Sequence, residues 1–397
     1  MTKTDRERQR KAPILRFKGF TDAWEQRKLG EMMTERKILR FDSREFPLSS
    51  FIKNKGVVPK SSRYDRSFLV KSNSKKYKET RLGDFIYSSN NLDTGSIGLN
   101  NYGNAVISPV YSVFTSKDTE NLETSFINLL FKKNFYKNKM LRFRQGVTYG
   151  QWKIKENDFL NLKVYTSNSI EIEKIIAIFS KISQCITLYD RKLKLVKLIY
   201  KELENKVYNN DLIKQTNFTK VKLEEILKEK NIKSTYEDQY PVLSSTNSGI
   251  ELRNGRTNSS SNIGYKVLSK NELVLSPQNL WLGNININFN FENGLVSPSY
   301  KVFSLTNNVN IIYLNSLLHH PKMMYLYKVV SVQGASVVRR NLDIEAFKNL
   351  TLKLPSIDAQ DKIGNLLDKN KQLIDNLENK KEQFSKVKTT LLNTMFI

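Results

Sequence analysis

Two short segments carry the side chains best suited to chemistry. RQGVTYGQWKIKENDFLNL, at 144–162, holds Gln145, Tyr149, Gln151, Trp152 and Lys153. VQGASVVRRNLDIEAFKNL, at 332–350, holds Gln333, Ser336, Arg339, Arg340 and Asn341. A primary amide presents a donor beside an acceptor, which matches adenine. A guanidinium presents paired donors, which match guanine. Lys and Arg also hold phosphates without reading sequence. The chemistry on offer is therefore recognition of a flat hydrogen-bonding edge, although a plain polar surface turn would use the same residue types.

The two segments share a frame. Gln-Gly and Phe-x-Asn-Leu recur at a spacing of 188 residues (333 − 145 and 347 − 159), and the filling between them differs. The repeat extends upstream. WEQRKL (24–29) matches FTKVKL (218–223), and Phe46-Pro47-Leu48 matches Tyr240-Pro241-Val242, both at 194 (218 − 24 and 240 − 46). SSNNLDTGSI (88–97) matches SPQNLWLGNI (276–285) at 188, and Ser108-Pro109-x-Tyr111-x-Val113-Phe114 matches Ser297-Pro298-x-Tyr300-x-Val302-Phe303 at 189. The offset changes only in Ser/Asn-rich stretches, as it does when loops of unequal length join equal elements. The chain is thus two copies of one unit behind a basic tail. Gly146 and Gly334 fit a turn with positive φ or a close approach of backbone to a ligand.

Repeated polar stretches add further candidates. These are Arg63, Tyr64, Lys75 and Lys76 in the first copy, and Arg253, Asn254, Arg256 and Asn258 in the second. Asn90 (with Asn91) answers Gln278 and Asn279, which stand with Trp281. Each could equally belong to a solvated loop. Trp24, Trp152 and Trp281 read first as packing aromatics.

Composition narrows the partner. Sixty-five Lys and Arg against 39 Asp and Glu give a formal charge of +26, and both halves contribute. A polyanion is the simplest partner, and duplex DNA the commonest one. No apolar run is long enough to span a bilayer. The start, MTKTDRERQRK, lacks the apolar core of a signal peptide, so a cytoplasmic location is expected. One cysteine, Cys185, excludes an internal disulfide framework, and with two histidines, His319 and His320, it makes a zinc site implausible. His319 aligns with Phe131 and His320 with Lys132, so no role shared by both copies rests on histidine; a polar loop before Pro321 is expected there. A stand-alone methyltransferase would need a Gly-rich cofactor loop and a Pro-Pro base-flipping motif, and a P-loop enzyme needs GxxxxGK[ST]. None is present. No acidic cluster repeats to serve a metal-dependent nuclease. The alternatives left open are such an enzyme, or a non-specific coiled-coil scaffold that binds DNA.

The elements that must position the candidates are mixed. GDFIYSS, YSVF, ELVLS and YKVF read as strands, and TSFINLLFKKNFYKNKML and NIIYLNSLLHHPKMMYLYKVV as helices. The class is α+β. Each copy then ends in a long heptad helix. One seam follows Ile175, Ile182, Tyr189, Val196 and Leu203, with companions three residues on at Ile178, Cys185, Lys192, Ile199 and Lys206. The other follows Ile363, Asn370, Leu377, Phe384 and Leu391, with Leu366, Leu373, Lys380, Val387 and Thr394. Lys192 and Lys380 interrupt the seams by snorkelling, by splaying the helices, or by meeting a partner's acid; Asn370 could fix register. Boundaries are expected at 1–20 (tail), 21–168 and 218–356 (globular), 169–209 and 357–397 (helices) and 210–217 (linker). Two such units would form an antiparallel helix pair with a globular domain at each end, separated by a spacer that, for a helix from Glu171 to Tyr208, is about 57 Å at about 1.5 Å per residue.

This plan resembles the specificity (S) subunit of type I restriction-modification systems. The likeness rests on PILRFKGFTDAWEQRKLGE (13–31), YPVLSSTNSG (240–249), the two QG…F-x-N-L segments and LPSIDAQDKIGNLL (354–367), and it covers essentially the whole chain. The family's Pro-Pro-Leu/Ile-x-x-Gln pattern survives as Leu354-Pro355-x-Ile357 and Gln360; the first copy, Thr166-Ser167-x-x-Ile170, has lost the proline and glutamine. The resemblance implies two target recognition domains, each reading half of a bipartite site in double-stranded DNA. It implies helices that set the spacing and hold two methyltransferase (M) subunits, with motor-nuclease (R) subunits joining for restriction. It implies a non-catalytic chain that binds no cofactor, with S-adenosylmethionine and ATP/Mg on the partners.

Overall fold

GDFIYSS and YSVF, bounded by Gly, Asn and Pro, form strands Phe85–Ser88 and Tyr111–Ser116, which pair antiparallel. The computed structural model describes residues 12–53, 55–60, 75–88, 90, 92, 96–118, 120–147, 151–209, 218–247, 249–253, 261–306, 308–333 and 340–397. It is mixed helix and sheet, with two compact units: Met1–Leu188 with Lys380–Ile397, and Tyr189–Asn379.

In the first unit a four-stranded sheet runs in the order Met33–Glu35, Tyr111–Ser116, Phe85–Ser88, Ile97–Leu99. Alternation along a strand sends successive side chains to opposite faces. Phe85, Tyr87 and Phe114 enter one core, against the helix Leu122–Leu130, while Ile86 and Val113 enter another with Phe51, Val57 and Ile107. In the second unit the order is Leu227–Lys230, Lys301–Leu305, Leu273–Leu275, Ile285–Ile287. There Leu273, Leu275 and Phe303 face one core, and Val274 and Val302 the other.

Phe-x-Asn-Leu belongs to this scaffold. Phe159 is fully buried, with ring centroids 4.8 Å from Phe114, 5.0 Å from Tyr87 and 5.7 Å from Phe85. Phe347 is buried 6.0 Å from Tyr327. Asn161 accepts a hydrogen bond from Lys28 Nζ at 3.2 Å, and Asn349 one from Lys222 Nζ at 2.8 Å. The carbonyls of Leu162 and Leu350 accept the N–H groups of Leu29 and Leu223, both at 2.9 Å. Phe46-Pro47-Leu48 and Tyr240-Pro241-Val242 also act alike: Pro47 O accepts from Val106 N at 3.2 Å, and Pro241 O from Leu295 N at 2.9 Å.

The long helices are Ser169–Asn209 and Ile357–Thr394. Within the second unit Lys197 meets Glu378 at 2.6 Å, and Leu193 and Val196 pack with Ile374 and Leu377. Within the first, Lys388 Nζ donates to Ser183 Oγ at 2.8 Å, and Phe396 lies 5.8 Å from Phe179. In both places the segments run antiparallel. Where a companion is buried it falls four residues after the first seam position, not three. Phe179, Leu193 and Val207 are buried, as are Leu367 and Met395, whereas Ile199, Leu366, Leu373 and Val387 are 46%, 42%, 39% and 48% exposed. Lys192 and Lys380 are exposed and lie outside the seam. The Asn370 amide bonds Leu366 O of its own helix at 2.8 Å.

His319 and His320 are helix caps and not a polar loop. His319 ends the helix Ile311–Leu318, and its Nδ1 lies 2.8 Å from Asn315 O. His320 caps Pro321–Val329 and lies 3.1 Å from Asn205 Oδ1. Burial pushes both imidazoles below their ordinary pKa.

Candidate nucleic-acid interface

Each Gln-Gly segment forms one strand of a short hairpin. In the first unit Gln145–Val147 pairs with Gln151–Lys153, with Gln145 opposite Lys153 and Gly146 opposite Trp152. The second strand runs into buried Ile154 and the helix Glu156–Leu160, which delivers Phe159 to the core. In the second unit Ser331–Gln333 pairs with Arg340–Leu342. Asp343 then caps Ile344–Lys348 by accepting from Ala346 N at 3.0 Å. The packed helix after each hairpin therefore fixes its second strand.

The registers differ by one residue. The sequence repeat would set position 333 opposite 341, as 145 lies opposite 153; the structure sets Gln333 opposite Arg340 and Asn341 opposite Val332. A one-residue slip exchanges the faces of a strand, and here it places a cation opposite glutamine in both hairpins.

The loop 62 residues upstream joins each hairpin. Trp152 N donates to Asn90 Oδ1 at 2.6 Å. Arg340 N donates to Gln278 O at 3.4 Å, across the same span (340 − 278). Arg144 lies over the Trp152 ring at 5.3 Å, and Arg340 over the Trp281 ring at 5.6 Å. Arg340 Nη1 also donates to Ser331 O at 3.0 Å and Lys328 O at 3.4 Å. Trp152 remains 46% exposed, and Gln145, Lys153, Gln278 and Asn341 are exposed. Asn279 is half-buried and precedes the 3₁₀ turn Leu280–Leu282, which carries Trp281.

The other candidates adjoin other strands. Lys75 and Lys76 precede strand Tyr77–Thr80, with their ammonium groups over Tyr77 and Phe41 at 5.8 and 5.5 Å. Arg253 follows strand Gly249–Leu252, and its N–H bonds Val242 O at 3.0 Å. Arg63, Tyr64, Tyr149, Asn254, Arg256, Asn258, Gly334, Ser336 and Arg339 lie outside the described residues; Gln151 and Gln333 are placed as strand positions. Gly146 does not have positive φ. It is a strand residue, and a Cβ there would meet Trp152 at 4.0 Å, an ordinary contact. Arg144 is the partner that reading the segments alone misses; its signal is its place immediately before Gln145. Trp281, which stands with Gln278 and Asn279 and reads first as a packing aromatic, is the ring under Arg340.

Electrostatics suit a polyanion. Among the described residues Lys75, Lys76, Lys153, Arg253 and Arg340 have no ion pair, whereas some scaffold cations do, such as Arg16 with Glu171, Arg36 with Asp84 and Lys230 with Glu272, and others, such as Lys28 and Lys133, do not. Among the described residues there is also no group of three or more His, Cys, Asp or Glu side chains that could hold a metal, and no helix long and apolar enough to cross a membrane.

No protein-family model and no curated protein matches the sequence. Solved structures do. An HsdS subunit from Thermoanaerobacter tengcongensis aligns over 94% of this chain and 96% of its own, at 15% identity and a TM-score of 0.42. A chain from a type I R-M system aligns over 97% and 99%, at 15% identity and a TM-score of 0.47. The type I restriction-modification system S subunit from M. genitalium aligns over 97% of this chain and 99% of its own, at 13% identity and a TM-score of 0.62. Over nearly its whole length, the chain has the fold of a type I restriction-modification S subunit.

Proposed function

We propose that the chain is the sequence-specific DNA-recognition subunit of a type I restriction-modification complex, acting in the cytoplasm. One observation carries the reading: a single S subunit chain matches end to end, over 97% of this chain and 99% of that one. Each repeated domain reads half of an asymmetric bipartite site through its hairpin and adjoining loop. The two long helices, as an antiparallel coiled-coil spacer, set the distance between half-sites, for which a spacer of about 57 Å gives an upper bound of about 17 bp. They also dock two M subunits. Leu195, Leu198 and Ile199 support docking, being 59%, 66% and 46% exposed. The chain itself is not catalytic. S-adenosylmethionine and ATP/Mg belong to the methyltransferase and motor-nuclease partners.

The test is methylation of a randomised duplex library by the chain with its M subunits. The expected product is one bipartite motif, and the chain alone should transfer no methyl group. Transfer by the chain verified free of partners, or motif-free methylation by the complex, would overturn the proposal. Four residues inserted in one helix, about one turn, should lengthen the spacer and leave both half-sites unchanged.

A further inference from the structure

The second-strand residue at 152 and 340 makes the same tie in two chemically opposite ways. In both units its N–H goes to a residue 62 earlier, to the side-chain oxygen of Asn90 at 2.6 Å or to the backbone carbonyl of Gln278 at 3.4 Å. In both units its side chain is half of an arginine–tryptophan stack, at 5.3 or 5.6 Å. In the first unit the strand supplies the ring and Arg144 the cation. In the second the strand supplies the cation and Trp281, from the upstream turn, the ring. A residue kept for one base contact would not need this arrangement. Arg340 moreover spends Nη1 on the carbonyls of Ser331 and Lys328, at 3.0 and 3.4 Å, at the end of the helix Pro321–Val329.

We infer that Trp152 and Arg340 are positioning residues, latches that hold each hairpin against the Asn90 or Gln278 loop so that the two segments read neighbouring bases as one surface. This rests on the DNA-reading function proposed above. A latch acts through the groups it holds, so its loss loosens every position that its unit reads. A direct reader would loosen one base pair only.

Two measurements test it. The first is hydrogen exchange on the free full-length chain, which needs no DNA. Removing either half of a half-exposed cation–π pair, by R340A or W281A, should raise exchange of the amides at 331–333 and 340–342 about two- to fivefold. W281F, which keeps a ring, should raise it less. Unchanged exchange in R340A and W281A overturns the latch. The second is library methylation by the complex with M subunits. R340A and W281A should flatten the same several positions of one half-site, the double variant should be no worse than the worse single one, and R144A and W152A should do the same to the other half-site. Relaxation of a single base pair by R340A, with W281A silent, overturns the latch. A wild-type complex with no sequence preference would refute the functional reading instead, and exchange would still decide the latch.

Discussion

Phe396 offers a sharp test of how the first unit is held together. The residue is 3% exposed and lies in the core built mainly from residues before 188. Its ring centroid is 5.7 Å from Phe126, 5.8 Å from Phe179 and 6.2 Å from Trp24. Its carbonyl accepts from Lys133 Nζ at 2.9 Å. Truncating a buried phenylalanine to alanine costs about 3–5 kcal/mol, through lost transfer energy and the cavity left behind. The upper half of that range is expected, because the three rings meeting Phe396 come from a loop and two helices that cannot close together. For a domain of about 200 residues each kcal/mol lowers Tm by about 2–4 °C, so F396A should melt about 8–20 °C lower. F396L, which keeps most of the volume, should cost about 1 kcal/mol.

Urea unfolding followed by Trp24 fluorescence, with Trp152 and Trp281 replaced by Phe in every sample, measures the unit directly. V387A is the control: Val387 is 48% exposed on the same helix, and a change there should stay within about 0.5 kcal/mol. A loss below about 1 kcal/mol for F396A would refute the placement of this segment in the core.

Three further expectations are independent of that one. L193A should cost about 2–5 kcal/mol, as a buried seam leucine, and K192A next to it should be silent within about 0.5 kcal/mol; equal losses in urea melts would return the seam to Lys192. Glu171 is held below its ordinary pKa in spite of burial, which acts the other way, by hydrogen bonds from Arg16, Ser167 and Trp24. Its contribution is therefore complete above 4.5 and lost as pH falls through the lowered value, and E171Q should cost about 1.5–3 kcal/mol by removing the charge that Arg16 pairs with, Arg16 keeping its hydrogen bond to Asp22 O, a loss that E171Q with R16M should partly restore. His319 and His320 are held below 6.5 by burial. Their contribution is present above that value and lost as pH falls through the lowered ones, so the melting temperature should fall below about pH 6.5 and fall less steeply in H319Q with H320N.

Part of the scaffold was legible from local pattern. GDFIYSS, YSVF and ELVLS are strands where alternation and β-branching put them. What Phe-x-Asn-Leu does was not legible, because its Asn meets a lysine 133 or 127 residues away, beyond any local pattern. The heptad was read one residue off. From Ile175 both a three- and a four-residue step are permitted, and the four-residue series Phe179, Ile186, Leu193, Tyr200, Val207 is apolar throughout, whereas the three-residue series contains Lys192 and Lys206. Polarity along the series settles that choice, and period alone does not. In the candidate interface, the pairing of Asn90 and Gln278 with the hairpins was legible only as a shared offset. The stacks were not, since ring and cation exchange places between units and so share no sequence pattern.

That exchange bears on why one frame tolerates two fillings. The contacts that recur unchanged are backbone or scaffold contacts: Leu29 and Leu223 to Leu162 and Leu350, Pro47 and Pro241 to the neighbouring strands, Lys28 and Lys222 to Asn161 and Asn349. None involves a side chain between Gln145 and Lys153 or between Gln333 and Asn341. Substitutions on the hairpins therefore cost the fold little, provided the tie to the upstream loop survives. A cation over a ring is a contact that either strand or loop can supply from either end, with few geometric demands. A hairpin can accordingly change its hydrogen-bonding side chains, and even slip by one residue as Gln333 and Arg340 have done relative to Gln145 and Lys153, while its position on the domain is retained. New recognition on an old frame needs that separation between what is held and what reads.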